Sequence, residues 1–315
     1  MNRQQIFSKI AACILPLVLF CSCNSLFENL EECDYTLRFR YDYNMENKDW
    51  FADQVNQVQV FVFDSQGKFV NSFSGQGDDL KKSGYQMTIP HQLKGHKMVI
   101  WAGKTDPYYT LPALKTGDPM ETLTLSYLPN GNISSSTLEP LWHCGPATMT
   151  FEEENGTTQT ASLIRTTNDV RVNIQTREGN FVNSDLFNIQ ITGANNAYDC
   201  HHAFLSSCKE IAYMPSPANS DQTTACICCM RFIRGDKLLF SVTEKSSGKP
   251  ISIGGETQIN LIDYLLKSKP DNMSEQEYLD RRYIWEISIS YDAQSYVALK
   301  IIVNGWTHWF QPVDI

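Results

Sequence analysis

The chain reads as all-β: two antiparallel β-sandwich domains in tandem, with a short helical insertion in the second. Three observations predict this. Short apolar–polar alternations recur along most of the 315 residues, turn signals separate them, and helical spacing appears in only one region. A chain of this length with 42% hydrophobic residues can bury two cores and suits two domains better than one.

The strands follow in order. Leu37, Phe39 and Tyr41 alternate with Thr36, Arg38 and Arg40. Val58, Val60 and Val62 share one face of the next run, while Phe61 and Phe63 lie on the other. Asp64-Ser65-Gln66-Gly67 is a turn signal, and Lys68-Phe69-Val70 begins the returning strand of a hairpin. Residues 97–101 form another β-rich run. The stretch 105–136 is rich in Pro, Gly, Asn and Ser and reads as long loops around a strand at Thr122 to Leu128. Glu152-Glu153-Glu154-Asn155-Gly156 is a charged turn taken as the interdomain linker. This sets an N-terminal sandwich at 34–152 and a C-terminal sandwich at 153–315. In the second half Val170, Val172 and Ile174 alternate with polar residues. Trp285, Ile287, Ile289 and Tyr291 then face one way, as do Val297, Leu299, Ile301 and Val303 on the partner strand. Ile259, Ile262, Leu265 and Leu266 recur at helical spacing up to Pro270, and Ser274-x-x-Glu277 is a capping box opening a second short helix.

The N-terminus carries its own message. Arg3 and Lys9 precede an apolar stretch, Ile10 to Phe20, which is the length of a secretory signal and too short to span a bilayer. It ends in Phe20-Cys21-Ser22-Cys23, a small residue before a cysteine, as in a bacterial lipoprotein signal. Residues 1–22 are therefore expected to be cleaved and Cys23 to be lipidated. Acyl chains would hold the protein at a membrane, at about 0.8 kcal/mol per buried methylene. Residues 23–33, with Glu28, Glu31 and Glu32, read as a tether.

A net charge of −9 and a pI near 5.2 argue against nucleic acid, which demands a basic footprint. Beyond Cys23 the cysteines are Cys33, Cys144, Cys200, Cys208, Cys226, Cys228 and Cys229. Their odd number excludes complete internal pairing, and their spacing is unlike a disulfide scaffold.

Five segments, in this order and spacing, resemble the FimB-like minor fimbrial anchor and assembly lipoproteins of Bacteroidia type V fimbriae. They are Cys33-Asp34 leading into Arg38-Phe39-Arg40-Tyr41-Asp42-Tyr43-Asn44-Met45; Val58-Gln59-Val60-Phe61-Val62-Phe63-Asp64-x-x-Gly67; Leu141-Trp142-His143-Cys144-Gly145; Leu163-x-Arg165-x-x-Asn168-x-Val170-x-Val172; and Gln276-Glu277-Tyr278-Leu279-Asp280-Arg281. The resemblance implies two tandem transthyretin-like, immunoglobulin-like antiparallel sandwiches and a non-catalytic role at the cell outer membrane. It also implies assembly with fimbrial pilin subunits by strand exchange, in which one subunit's extended segment completes its neighbour's sheet. In the polymerising pilins a protease cuts after an arginine of the first domain; here Arg38 and Arg40 fall inside the first expected strand. The expected pilin contacts are Val297, Leu299, Ile301 and Val303 with the aromatic tail residues Trp306, Trp309 and Phe310. The reading preferred for the three aromatics is that they cap the second sandwich's own core.

No cofactor, metal site or catalytic residue is expected. Cys226-x-Cys228-Cys229, with Cys200, His201, His202 and Cys208, has ligand-type side chains, but on a strand Cys229 points away from Cys226 and Cys228. Adjacent His143 and Cys144 also point apart on an extended chain, unlike a nucleophile and its base. Glu152 to Glu154 and Asp78-Asp79 read as solvated turn charges, and Gly254-Gly255 lacks the lysine of a phosphate loop. Asn132, Asn155 and Asn272 head sequons of little meaning in a bacterial lipoprotein. The expectation is a lipid-anchored fimbrial anchor or assembly subunit. An accessory or tip adhesin subunit, or a carbohydrate-binding surface lipoprotein, is the alternative.

Overall fold

The structure is a computed structural model that describes residues 34–82, 84–105 and 107–310. The expected signal segment 1–22, the tether 23–33, Cys23 and Cys33 lie outside the described residues. In the first half the strands are β1 (Tyr35–Arg40), β2 (Gln57–Phe63), β3 (Phe69–Gln76), β4 (Gln86–Ile89), β5 (Lys97–Ala102), β6 (Tyr109–Thr110), β7 (Leu125–Tyr127), β8 (Ile133–Ser134), β9 (Trp142–Thr148), β10 (Thr158–Ser162) and β11 (Ile164–Arg165). A three-stranded sheet in the order β10-β1-β4 packs against a five-stranded sheet in the order β11-β9-β5-β2-β3. Leu37, Phe39, Met87 and Ile89 from the first meet Val58, Val60, Val62 and Ile100 from the second, all buried.

The second half continues with β12 (Thr167–Gln175), β13 (Phe181–Val182), β14 (Phe187–Gly193), β15 (Ala197–Tyr198), β16 (Ile211–Tyr213), β17 (Thr224–Met230), β18 (Leu239–Glu244), β19 (Ile259–Asn260), β20 (Ile284–Asp292), β21 (Val297–Val303) and β22 (Trp306–Trp309). One sheet runs β13-β12-β20-β21-β22, with β17 also paired to β12; the facing sheet runs β19-β18-β14-β16-β8. Val170, Val172, Ile287 and Ile289 interleave with Ile189, Ile191, Phe240 and Val242. The expected helical insertion is present as Leu261–Leu265, burying Leu261, Ile262 and Leu265, and as Glu275–Arg281. The Ser274 half of the capping box forms: its side chain accepts from the Glu277 N–H, while the Glu277 carboxylate pairs with Arg281. Antiparallel pairing dominates both sandwiches. The exceptions are β1 with β10, β12 with β20 and β16 with β8, strands distant in sequence that run parallel.

Two expectations are corrected. The turn at Glu152–Gly156 does not link the domains. Glu153 and Thr158 exchange both backbone hydrogen bonds there, and the chain returns as β10 and β11 into the first sandwich. The handover falls after Arg165, where β12 begins at Thr167. The loop-rich stretch 105–136 is also more than a connection. It forms the β6–β7 hairpin, pairs β7 with β15, and adds β8 to the second sandwich.

That strap covers the outer face of the five-stranded sheet. Phe61, Phe63, Val99 and Trp101 point away from the first core and join Tyr109, Leu123, Leu125 and Leu141 in one cluster, which runs on into the second sandwich. Along β2 and β5 the sheet is thus buried on both sides, and each large side chain so covered contributes about 1.5–3 kcal/mol. Phe63, fully buried and edge-on to Phe69 at 5.7 Å, sits in this seam. We expect urea to unfold the full chain in one transition, and Phe63→Ala to shift it as a whole by about 3–5 kcal/mol. A variant that melts one sandwich while the other keeps its wild-type midpoint would contradict the shared core.

Candidate functional site

The C-terminal hairpin forms the edge of the six-stranded sheet. Asn304 and Gly305 both have positive φ, 47° and 85°, the two-residue turn that an Asn-Gly pair favours. The chain then returns as β22, so the residues read as a tail are a strand, and Asn304-Gly305 was the signal for it. The tight turn makes Val303–Trp306 the hydrogen-bonded pair, and the Phe310 N–H donating to the Leu299 carbonyl keeps that phase. Thr307 and Trp309 therefore turn their backbone N–H and C=O groups to the open edge. Trp309 is 67% exposed and lies under the Lys300 ammonium, 5.0 Å from its ring centre.

The expected contact residues do not form one face. A bulge between Ser290 and Tyr291 pairs Lys300 with Ser290 and Ala298 with Tyr291, leaving Leu299 unpaired. The extra residue switches the inward set to Ala298, Ile301 and Val303, while Val297 and Leu299 are half-buried. β21 itself lies between β20 and β22, so its ladder bonds are taken on both sides. Trp306 and Phe310 pack against the second core, and Gly254 makes room for Phe310: a Cβ there would lie 3.1 Å from the ring. Of the seven residues, Trp309 alone is exposed.

Two of the segments behind the family resemblance touch across the halves, Arg165 on the Tyr283 ring and Arg281 on Asn44 and Asn47, while others brace one half internally. Arg165, buried, lies 3.9 Å from the Tyr283 ring centre and donates to the Thr167 carbonyl. Asn168 accepts from Trp285 Nε1 at 3.0 Å. Asp280 takes both Nε and Nη2 of Arg231 at 2.8 Å, and Arg231 Nη1 donates to the His202 carbonyl. Arg281 reaches across to the Asn44 carbonyl and Asn47 Oδ1. Gly145 has φ +112°, and a Cβ on it would lie 2.6 Å from the Met98 carbonyl, so the glycine closing the first sandwich is a steric requirement.

The ligand-type residues are dispersed. Cys226 and Cys228 pair with Arg171 and Asp169 on one face of β17, and Cys229 faces the other way beside Asn168. No group of three His, Cys, Asp or Glu is placed to hold a metal among the described residues. The six cysteines described are all free thiols. Burial pushes Cys144 and Cys200 up to about 11 and Cys228 up to about 12. His143 packs toward Trp101 and the shared core, whereas Cys144 packs on the first core. Glu154 pairs with Arg38, Glu153 accepts from Thr160, and Asp78 and Asp79 pair with Lys81 and Lys82.

Fold and surface together define a fused double β-sandwich with an open C-terminal edge strand. The family model of fimbrillin-A associated anchor proteins Mfa1 and Mfa2 matches residues 30–312, and the chain belongs to that family of fimbria-associated surface proteins. It is similar to a Bacteroides thetaiotaomicron protein described as a candidate polysaccharide-binding protein: 30% identity, TM-score 0.76, 89% of this chain and 99% of that one. The same fold occurs in a candidate adhesin of that organism, with 21% identity, TM-score 0.72 and coverage of 88% and 97%. It occurs again in the fimbrial anchor protein Mfa2 of Porphyromonas gingivalis, with 17% identity, TM-score 0.67 and coverage of 88% and 99%. Among curated protein sequences, none matches this chain.

The junction also makes stability depend on pH. His143 and His202 are buried with ring centres 4.5 Å apart; His143 Nε2 bonds the Cys200 carbonyl and His202 Nε2 bonds Thr166 Oγ1. Desolvation, reinforced by the Arg231 charge, lowers His143 to about 3 and His202 well below its ordinary value. Below about pH 6.5 the unfolded chain therefore binds protons that the folded one refuses. Stability is full above that pH and falls on acidification, at up to about 1.4 kcal/mol per pH unit for each histidine. Urea midpoints measured from about pH 7 to pH 4.5 should fall steeply for the wild type, and the double variant His143→Gln/His202→Gln should give a shallower slope. Equal slopes would show that these two imidazoles do not control the acid limb.

Proposed function

We propose that this protein is a non-catalytic fimbrial anchor, held at the outer membrane through lipid on Cys23 and joined to a pilin through its C-terminal strand. The observation that carries the reading is the edge of β22, which no other described strand pairs and where Trp309 is exposed. Strand addition uses these two features: main-chain hydrogen bonds provide affinity, and one large side chain entering a pocket provides specificity. Membership in the fimbrial anchor family and the lipoprotein-type sequence at Ser22-Cys23 support the same reading.

Two substitutions test the two halves of this proposal in the native host. Cys23→Ala should leave subunits synthesised but release fimbriae into the medium or alter their length. Fimbriae that stay attached and normal, although the protein leaves the membrane, would rule out anchoring. Thr307→Pro removes an edge-facing N–H without touching the ladder to β21. It should reduce capture of the pilin by the purified protein about tenfold or more, with Trp309→Ala adding to the loss. Unchanged capture by both variants would exclude this edge as the contact.

A further inference from the structure

We propose that the groove between the β2–β3 hairpin and the segment after β6 is a binding site for a neutral saccharide. This goes beyond the anchoring role and does not depend on it. The groove encloses about 570 Å³, within the range of small-molecule sites.

Its floor comes from the outer face of the five-stranded sheet. Along β2 and β5 that face carries Phe61, Phe63, Val99 and Trp101 and is covered by the shared core. At the β3 end the same row turns small and polar: Phe61 stands opposite Ser72, and Gln59 opposite Ser74. The aromatic cover stops there, and a trough opens. Its far wall is Thr110, Leu111, Pro112 and Leu114. Leu111 and Leu114 pack on the shared core, and the Tyr109 hydroxyl donates to the Glu139 carbonyl at 2.7 Å, so this wall is fixed in place.

The chemistry of the lining selects the ligand. The described lining of the groove carries no charged side chain. Gln59, Ser72, Ser74 and Thr110 present an amide and three hydroxyls, none of them spent on another described side chain. Such groups both donate and accept, as a sugar hydroxyl does. Leu111, Pro112 and Leu114, all half-buried, supply apolar surface for the C–H face of a pyranose ring. An apolar ligand would leave the hydroxyls unmatched, whereas a neutral polyol that also has an apolar face matches both kinds of wall.

The test is calorimetric titration of the full chain, held in detergent, with linear neutral hexasaccharides of glucose, mannose and xylose and with an acidic oligogalacturonate. We expect at least one neutral hexasaccharide to bind with a Kd between about 1 μM and 1 mM, and the acidic oligomer to bind at least about tenfold more weakly. Ser74→Arg, at an exposed position on an edge strand, should fill and charge the trough. It should lower affinity about tenfold or more with the melting temperature unchanged, and Gln59→Ala should weaken binding in the same direction. No heat from any neutral hexasaccharide up to about 10 mM, tighter binding of the acidic oligomer, or full affinity in both variants would each overturn the proposal.

Discussion

Everything else in the molecule is arranged around one five-stranded sheet whose inner strands, β2 and β5, are buried on both faces. β2 shows how its sequence sustains that. Its β-branched residues Val58, Val60 and Val62 face the first core, and its aromatics Phe61 and Phe63 face the shared one. A one-residue slip would exchange the two sets, putting rings into a space shaped for valines, so the register is held from both sides. The ladder bonds of β5 and β2 form away from water, where an unmade bond is costly. The second sandwich completes its core against this sheet, through the strap that carries β6, β7 and β8. Neither half is therefore a separable domain in the energetic sense, although each has its own pair of sheets.

A buried ion pair in the second half sits beside His202, whose ring packs on Trp101 of the first half. Arg231 and Asp280 are nearly buried, with side chains 12% and 6% exposed. Such a pair is poor evidence of net stabilisation, because desolving both charges offsets much of their attraction. Its geometry still matters: both carboxylate oxygens are engaged, and the third guanidinium nitrogen reaches the His202 carbonyl. The bonds that cross to the first half run from Arg281 to the Asn44 carbonyl and Asn47 Oδ1 and from His143 Nε2 to the Cys200 carbonyl, and sliding one sandwich over the other would break them. The apolar seam supplies adhesion, and the polar network selects one arrangement among those the seam would tolerate.

Much of this was legible in the sequence, and the parts that were not share a cause. Local periodicity revealed β1, β2, β12 and β20, and the capping box at Ser274 revealed its helix, because those signals lie within a few residues. The two-sided burial of β2 was visible as valines and phenylalanines on opposite faces, but only the fold says that both faces are covered. The boundary was misplaced at 152 because Glu152–Gly156 has the composition of a linker, while its backbone pairing, Glu153 to Thr158, is that of a turn inside a sheet. The bulge at Leu299 was unreadable: Val297, Leu299, Ile301 and Val303 alternate in sequence, and one unpaired residue divides them between two faces. The parallel partners β10 and β20 depend on chain topology that no short pattern encodes. Of the site, the aromatic tail was found, but its division into capping Trp306 and Phe310 and exposed Trp309 followed from β22 being a strand.

The two ends of the described chain differ in what strand exchange would cost them. β1 lies between β10 and β4, hydrogen-bonded along both edges, with Leu37 fully buried and Phe39 nearly so. Arg38 pairs with Glu154 and Arg40 with Asp42, which ties both arginines to the folded surface. Pulling β1 out would open a buried groove and break two ladders. β22 has one bonded edge, four residues and a mostly exposed burial pattern. Loosening it breaks one short ladder and exposes little apolar surface beyond Trp306 and Phe310. Local openings draw on such segments first, since few buried contacts hold them. Opening β22 therefore costs far less than opening β1, because only one short ladder and little apolar burial hold it.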